Sequence, residues 1–213
     1  MKVLVINGSA RKSGNTATLL NKVAEGAKSR GAEVELVHLY DLNYKGCTSC
    51  FGCKTKNGKS YGKCTHKDGL TPLLEQVETV DALVLGSPIY YSTVTGEMKS
   101  FMERLLFPYH MYSNPYKNLF PKKIKTGFIY TMNQTEEETQ QTGIARNCQI
   151  NEYLMKFTFG SSESLMSYDT YQFEDYSKVV QDRFDVNKKT KRREEVFPLD
   201  CQKAFEMGAR LVL

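Results

Sequence analysis

The sequence predicts an α/β fold built on a doubly wound parallel sheet, and three observations lead to this prediction. Short apolar runs, typical of buried strands, alternate with segments whose apolar residues recur at helical spacing. The alternation gives five strands and five helices, and right-handed crossovers between parallel strands place helices on both faces of the sheet. The 213 residues, 40% of them hydrophobic, suffice for one large core, and we expect a single domain over 1–213.

Two strand–helix units and a third strand are predicted in the first half. In order, they are a strand over 2–6, a helix over 15–30, a strand over 33–40, a helix opening at Thr71 and Pro72, and a strand over 82–85. The first strand ends in the turn signal Asn7-Gly8. The first helix carries its apolar residues on one face and is followed by Gly31, a typical helix stop.

The second half continues the alternation. It contains a helix from about Thr95, a strand over 126–131, a helix from Thr135 towards Phe157, a strand over 164–168, and a last helix with Phe205, Gly208 and Leu211. Thr135 and Glu138 have the spacing of a capping box. Three segments lie outside these elements: a Cys- and Lys-rich loop over 44–68, an aromatic insertion over 107–121 and a C-terminal extension over 169–213.

The loop after the first strand has the composition of an anion site. Residues 8–16, GSARKSGNT, hold two glycines, three hydroxyl residues, an amide and two cations. They precede a helix whose free N–H groups attract negative charge, and Arg11 adds a charged donor. Asn15 stands where a Walker A loop needs lysine, and G-x-G-x-x-G is absent, so the loop suits a phosphate monoester. The alternative is a polar turn that caps the helix.

The loop after the third strand offers a flat apolar surface. Residues 86–92 read GSPIYYS, in which Pro88 fixes the backbone and Tyr90 and Tyr91 present aromatic faces with polar tips. Such faces suit a planar heterocycle, although core or interface packing is the alternative. Loops that follow parallel strands meet at the carboxyl edge of the sheet, so this loop should face the anion site.

Residues 1–135 resemble the NADPH-dependent FMN reductase family, with a flavodoxin-like five-stranded parallel sheet of order 2-1-3-4-5. Residues 8–16 are similar to the family's G-S-x-R-x-x-G-N-T phosphate loop, and residues 86–92 to its S-P-x-Y loop. The resemblance implies FMN as cofactor and NAD(P)H as co-substrate. It implies a phosphate site of Ser9, Arg11, Ser13, Asn15 and Thr16, and a ring site of Pro88, Ile89, Tyr90, Tyr91, Ser92, Met132 and Asn133. No catalytic side chain is nominated, because the hydride chemistry belongs to the cofactor.

The Cys- and Lys-rich loop carries a spacing that admits several interpretations. Cys47, Cys50 and Cys53 form the close triplet of many iron–sulfur ligands, but Cys64 follows after ten further residues. The triplet resembles that of iron–sulfur flavoproteins, in which the fourth cysteine comes sooner. Zinc with His66, a redox dithiol at Cys47/Cys50 or Cys50/Cys53, and thiols that pack or stay idle are the alternatives. The long spacer favours idle thiols over a cluster.

Charge and composition limit the classes of partner that we expect. The net charge is +5, yet residues 45–67 alone carry +6, and we expect this loop beside the flavin, where it attracts NADPH or an acidic redox protein or is simply solvated. The basic run 188–193 precedes Glu194 and Glu195, so we expect a solvated face and no nucleic-acid partner. No apolar run has the length of a membrane span or signal peptide, so we expect a cytoplasmic protein without a membrane partner.

The expected function is therefore a flavin- or quinone-type reductase. Its partner is a small electron acceptor such as free flavin, a quinone, an azo or a nitro compound, and the family resemblance implies a homodimer or homotetramer. An iron–sulfur flavoprotein or FMN electron carrier, and a non-catalytic flavin-binding regulator, are the alternatives. The aromatic insertion is expected to cover the flavin, to form a dimer contact or to pack as a loop, and the segment 171–178 resembles flavodoxin-family oxidoreductases without an evident role.

Overall fold

The computed structural model describes all residues from 1 to 213, and its centre is a parallel sheet. The strands are β1 (Lys2–Asn7), β2 (Glu33–His38), β3 (Ala82–Tyr90), β4 (Thr93–Val94), β5 (His110–Met111), β6 (Lys117–Asn118), β7 (Lys125–Thr131) and β8 (Glu163–Ser167). The five long strands lie in the order β2–β1–β3–β7–β8, and every pairing between them is parallel. The predicted order 2-1-3-4-5 is thereby confirmed.

Helices cover both faces of the sheet. They are α1 (Asn15–Lys28), α2 (Thr71–Val77), α3 (Gly96–Leu106), α4 (Glu136–Gln141), α5 (Ile144–Phe159), α6 (Val186–Glu195) and α7 (Phe197–Leu211). Because successive side chains of a strand point to opposite faces, Leu4 and Ile6 join one apolar core with α2, α3 and α5. Val3 and Val5 join the other with α1 and α7. This double burial explains why the strands are continuous apolar runs.

Two glycines let α7 lie directly against α1. A Cβ at Gly26 would stand 1.9 Å from the carbonyl oxygen of Phe205, and a Cβ at Gly208 would stand 2.0 Å from that of Val23. Real side chains do not tolerate such distances, so the two backbones approach only because both positions are glycine. The contact ties the C-terminal extension to the helix that follows the predicted phosphate loop.

The segment predicted as one helix from Thr135 towards Phe157 is two helices. Thr135 and Glu138 form the predicted capping box, which begins α4. The chain then breaks at Gly143, whose φ of +76° belongs to the left-handed region, and α5 begins at Ile144. Helical backbone cannot pass through that conformation, so the prediction of an unbroken helix was wrong.

The third strand is longer than predicted and turns back on itself. β3 runs to Tyr90 and pairs antiparallel with β4. Tyr91 and Ser92 form the tip of this hairpin with φ values of +46° and +68°. The loop expected to border a ring is therefore a strand end and a tight turn.

The aromatic insertion 107–121 cannot cover a ligand at the carboxyl edge. It follows α3, which runs from the carboxyl edge back to the amino edge, and it precedes β7, whose first residue Lys125 lies at that amino edge. The insertion contains the small β5–β6 hairpin. Of the three roles expected for the insertion, covering a flavin bound to the same chain does not fit, because the direction of α3 carries the insertion to the opposite end of the sheet. No helix in the structure is long and apolar enough to cross a lipid bilayer.

Candidate functional site

The loop between β1 and α1 leaves the start of the helix open. Gly14 occupies the cap position, and no side chain caps the helix. The Ser9 hydroxyl accepts a hydrogen bond from the Arg11 N–H at 3.1 Å, and the Ser9 N–H donates to Asn7 Oδ1 at 2.9 Å. These bonds shape the loop without using the first-turn N–H groups of α1, an arrangement suited to a phosphate.

This loop faces the end of β3 across a cavity of about 110 Å³. Eight of the twelve predicted cofactor residues line it: Ser9, Arg11, Asn15, Thr16, Pro88, Ile89, Tyr90 and Asn133. The cavity lies at the carboxyl edge where β1, β3 and β7 end, which is where ligands bind in doubly wound sheets. The structure thus brings the loops of two separate motifs to one place.

The other four predicted cofactor residues lie outside this cavity. Ser13 faces the outer side of the loop. Tyr91 is fully exposed, and Ser92 follows it in the hairpin turn. Met132 is buried in the core, and its main-chain N–H and carbonyl are already bonded to Ser167 and Thr170. Met132 therefore makes no direct contact with the cavity in this arrangement.

One wall of the cavity contains an unsatisfied acceptor. Asn133 Oδ1 is buried and has no hydrogen-bond partner. A buried acceptor without a donor costs free energy, which a bound ligand with an N–H group would recover. This atom, together with the open helix start, fits a ligand that has a phosphate at one end and a polar heterocycle at the other.

A part of the C-terminal extension, for which no role was predicted, closes the phosphate side of the cavity. We call residues 169–178 the strap. Arg11 Nη1 donates to the Gln172 carbonyl at 2.7 Å, and Asn15 Nδ2 donates to the Tyr171 carbonyl at 2.8 Å. Thr131 is a further cavity residue that the sequence missed, and its hydroxyl lies 2.8 Å from that of Thr16.

The basic run 188–193 holds the extension in place, so its prediction as a wholly solvated face was wrong. Lys189 is buried and forms an ion pair with Asp169 of the strap at 2.5 Å. Arg192 pairs with Asp200 at 2.6 Å, and Asp200 also accepts a hydrogen bond from Ser167. Lys189 and Arg192 face inward because they are three residues apart on α6, which places them on the same side of the helix.

The Cys- and Lys-rich loop is fixed by a buried arginine of α3. Arg104 donates to the Lys45 carbonyl at 3.1 Å, to Cys64 Sγ at 3.3 Å and to Asp68 at 2.5 Å. Burial opposes ionisation of Asp68, but hydrogen bonds from Arg104 and the Leu70 N–H outweigh it and lower the pKa of Asp68. The loop therefore has a defined path over α3.

That path leads away from the candidate cavity. Arg104 is about 12 Å along α3 from the carboxyl edge, at 1.5 Å per residue after Gly96. Lys54 donates to the carbonyls of Pro108 and His110 in the aromatic insertion. The prediction that the whole basic loop lies beside a flavin was wrong, because α3 draws it towards the amino edge.

The loop cysteines differ in their local environments. Cys50 Sγ lies 3.2 Å from the Thr65 hydroxyl, Cys64 Sγ accepts from Arg104, and Cys53 is buried. The structure contains no group of three or more Cys, His, Asp or Glu side chains that could hold a metal ion. Thiolates are suitable cluster ligands, but this arrangement of Cys47, Cys50, Cys53 and Cys64 does not fit a cluster.

Comparison with known proteins identifies a matching family model and related sequences. A family model described as NADPH-dependent FMN reductase matches residues 1–130. An iron–sulfur flavoprotein of Archaeoglobus fulgidus is 40% identical over 104 residues, which are 49% of this chain and 48% of that protein. An iron–sulfur flavoprotein of Methanocaldococcus jannaschii is 30% identical over 144 residues, 68% of each chain. The chain spans about half the length of the first of these relatives.

Solved structures share the fold across the whole chain. A NAD(P)H:quinone oxidoreductase from Methanothermobacter marburgensis has a TM-score of 0.71 at 16% identity and covers 99% of this chain and 98% of its own. An azoreductase from Bacillus anthracis has a TM-score of 0.70 at 15% identity, with 99% of both chains covered. At these identities the comparison shows a common architecture.

Proposed function

Because the chain belongs to the NADPH-dependent FMN reductase family, we propose that it binds FMN and passes electrons from NAD(P)H to a small acceptor. The observation that carries the proposal is the cavity between the open start of α1 and the end of β3, which brings the two predicted cofactor loops together. FMN would supply the hydride and electron-transfer chemistry, and the protein would position it and control access. The acceptors that suit such a site are free flavins, quinones, azo and nitro compounds.

The cavity residues divide into a phosphate end and a ring end. Arg11 and the first-turn N–H groups of α1 would bind the phosphate, with hydroxyls from Ser9, Ser13 and Thr16 and the amide of Asn15. Pro88, Ile89 and Tyr90 would lie along the ring, with Tyr91 and Ser92 at the hairpin tip above it. Asn133 would meet the polar edge of the ring, and Met132 would support that edge from the core. No side chain here is proposed to act as acid, base or nucleophile.

The first experiment is a titration of flavin-free protein with FMN, followed by NADPH and NADH oxidation by the loaded protein. We expect FMN to bind and NAD(P)H oxidation to depend on both FMN and an added quinone or free flavin. A protein that does not bind FMN contradicts the proposal outright. FMN binding without any NAD(P)H oxidation contradicts the reductase and favours an electron carrier or a non-catalytic flavin-binding regulator.

An iron–sulfur flavoprotein is the second candidate, because related curated proteins carry that name and four cysteines share one loop. The separate partners of Cys50 and Cys64 oppose it. We therefore expect iron and sulfide well below stoichiometric amounts after anaerobic purification. About four iron atoms per chain, lost in a Cys53→Ser variant but kept in a Cys201→Ser control, would instead establish the second candidate.

Four further expectations remain predictions of this proposal. They are a single domain over 1–213, assembly as a homodimer or homotetramer, a cytoplasmic location and an acidic redox protein as an additional partner. Exposed aromatic residues support assembly, since Tyr112 and Tyr153 are 78% and 63% accessible. The exposed Lys56 and Lys59 support an acidic partner.

A further inference from the structure

A second and larger cavity opens on the outer side of the phosphate loop. It encloses about 660 Å³, and its wall includes Arg11, Ser13 and Arg193. Gly14 and Asn15 line this cavity and also the smaller one, so the two cavities meet at the N-terminus of α1. Any phosphate bound at the helix start would therefore be reached from both sides.

Arg193 stands at this junction and comes from α6, outside the residues that match the family model. Its Nη1 donates to Asn15 Oδ1 at 3.0 Å. Its guanidinium lies 4.2 Å from the centre of the Phe197 ring. The side chain is thus directed at the first residue of α1 and supported from behind by an aromatic face.

The charge of Arg193 has no acidic partner. No carboxylate oxygen lies within 4.0 Å of Arg193 or Arg11, whereas Arg104, Arg192 and Arg210 each meet one. Two acidic residues, Glu174 and Asp175, also line the cavity, but Asp175 is bonded to Ser177 and Lys178. Arg11 and Arg193 therefore both line the cavity beside the open helix start, and neither forms an ion pair with a carboxylate.

The position of Arg193 is held by the buried contacts of its neighbours. Lys189 pairs with Asp169, and Arg192 pairs with Asp200, so α6 is joined to the strap and to α7 on either side. Both cations are largely buried, with side chains 3% and 13% accessible. These contacts fix the helix that carries Arg193, which lowers the entropy cost of using its long side chain.

We propose that Arg193 is a second binding residue for the FMN phosphate, so that the C-terminal extension completes the cofactor site. This inference rests on the proposed function. A phosphate monoester carries close to two negative charges at neutral pH, and Arg11 supplies only one positive charge. Arg193 supplies another, in the planar form that suits phosphate oxygens. The site should then favour FMN over riboflavin, which has the same ring and lacks the phosphate.

The test compares FMN and riboflavin binding by quenching of flavin fluorescence. Arg193→Gln should weaken FMN binding about tenfold, the size expected for one charge-assisted hydrogen bond, and should leave riboflavin binding unchanged. Arg193→Lys should restore part of the FMN affinity. Lys191→Gln is the matched control, because Lys191 is an exposed cation of the same helix and pairs with Glu195 at 3.9 Å. It should change neither affinity by more than about twofold.

Two results would overturn the inference while the proposed function stands. Arg193→Gln that binds FMN as well as Lys191→Gln does would show that Arg193 does not touch the phosphate. Equal losses for FMN and riboflavin would show that Arg193 acts on the fold of the strap, and urea unfolding of each variant checks this. If the wild-type protein binds neither flavin, the proposed function itself fails and this inference fails with it.

Discussion

Replacing Arg11 with alanine should weaken FMN binding by roughly 10- to 100-fold, because a charged hydrogen bond contributes about 1.5–3 kcal/mol. Arg11 lines both cavities, has no acidic partner and shares its guanidinium only with the Gln172 carbonyl. A phosphate would therefore gain a strong donor at little cost to the protein. Fluorescence titration of flavin-free protein measures the loss directly.

The neighbouring residue provides the control for this variant. Lys12 is an exposed cation one position along, and it already pairs with Asp41 at 2.7 Å. Lys12→Ala changes the charge of the loop by the same amount, yet it should alter FMN affinity by no more than about twofold. Equal affinity of Arg11→Ala and wild type for FMN would contradict the phosphate assignment. An equal loss for riboflavin would show that Arg11 acts by holding the strap.

The second large effect concerns stability. Arg104→Met should lower the free energy of unfolding by about 3 kcal/mol, because it leaves Asp68 and the Lys45 carbonyl without their donor. The Arg104 side chain is 1% accessible and that of Asp68 is 25%, so the loss falls short of that for a fully buried pair. Urea unfolding at pH 7 measures it. Faster alkylation of Cys64, which loses its contact with Arg104, reports release of the loop.

The stabilisation that Arg104 provides through Asp68 should depend on pH, and the direction of this dependence follows from the pKa of Asp68. The pKa of Asp68 lies below its ordinary value of 3.8 in the folded protein, so its stabilisation is present above that value and is lost as the pH falls through the lower pKa. Without Arg104, the strongest influence that lowers the pKa of Asp68 is gone, while burial and the hydrogen bond from the Leu70 N–H remain. The difference in unfolding free energy between wild type and variant should therefore be largest near pH 7 and should narrow as the pH falls below 3.8.

Lys67→Met is the control in the same loop. Its ion pair with Glu75 spans 3.8 Å between exposed side chains and should contribute less than about 1 kcal/mol. A loss in Arg104→Met no larger than that in Lys67→Met would mean that the loop does not depend on the buried arginine.

The sequence was sufficient for the sheet and for the two loops that face each other. Buried parallel strands can be recognised in a sequence as apolar runs. The residues around Gly14 and Pro88 follow such runs, and their types are typical of ligand-binding loops at the end of a strand. The break between α4 and α5 at Gly143 was not predicted. The capping box at Thr135 and the helical spacing of the residues after it favoured one continuous helix. The direction of α3 likewise determines where the aromatic insertion lies, and topology alone could have placed it at the amino edge.

Other features left no signal in the sequence. The strap reaches Arg11 and Asn15 through main-chain carbonyls, which every residue possesses, across more than 150 residues of chain. Lys189 and Arg192 belong to a run of cations whose composition does not reveal which members face inward. The pattern of apolar residues predicts well which side chains are buried in the core. Ion pairs such as Lys189–Asp169 are not predicted in this way, because their partners come together only in the tertiary fold.

The glycine contact between α1 and α7 also means that α1 must wait for its partner helix while the chain is being synthesised. Gly26 and its partner Phe205 are separated by about 180 residues, which a ribosome adds in on the order of 10–40 s. During that interval the apolar face of α1 has no partner helix, and the loop around Arg11 lacks both the strap and Arg193. A nascent chain therefore carries an incomplete cofactor site until the strap and Arg193 have emerged, and α1 gains its partner helix only when α7 follows them.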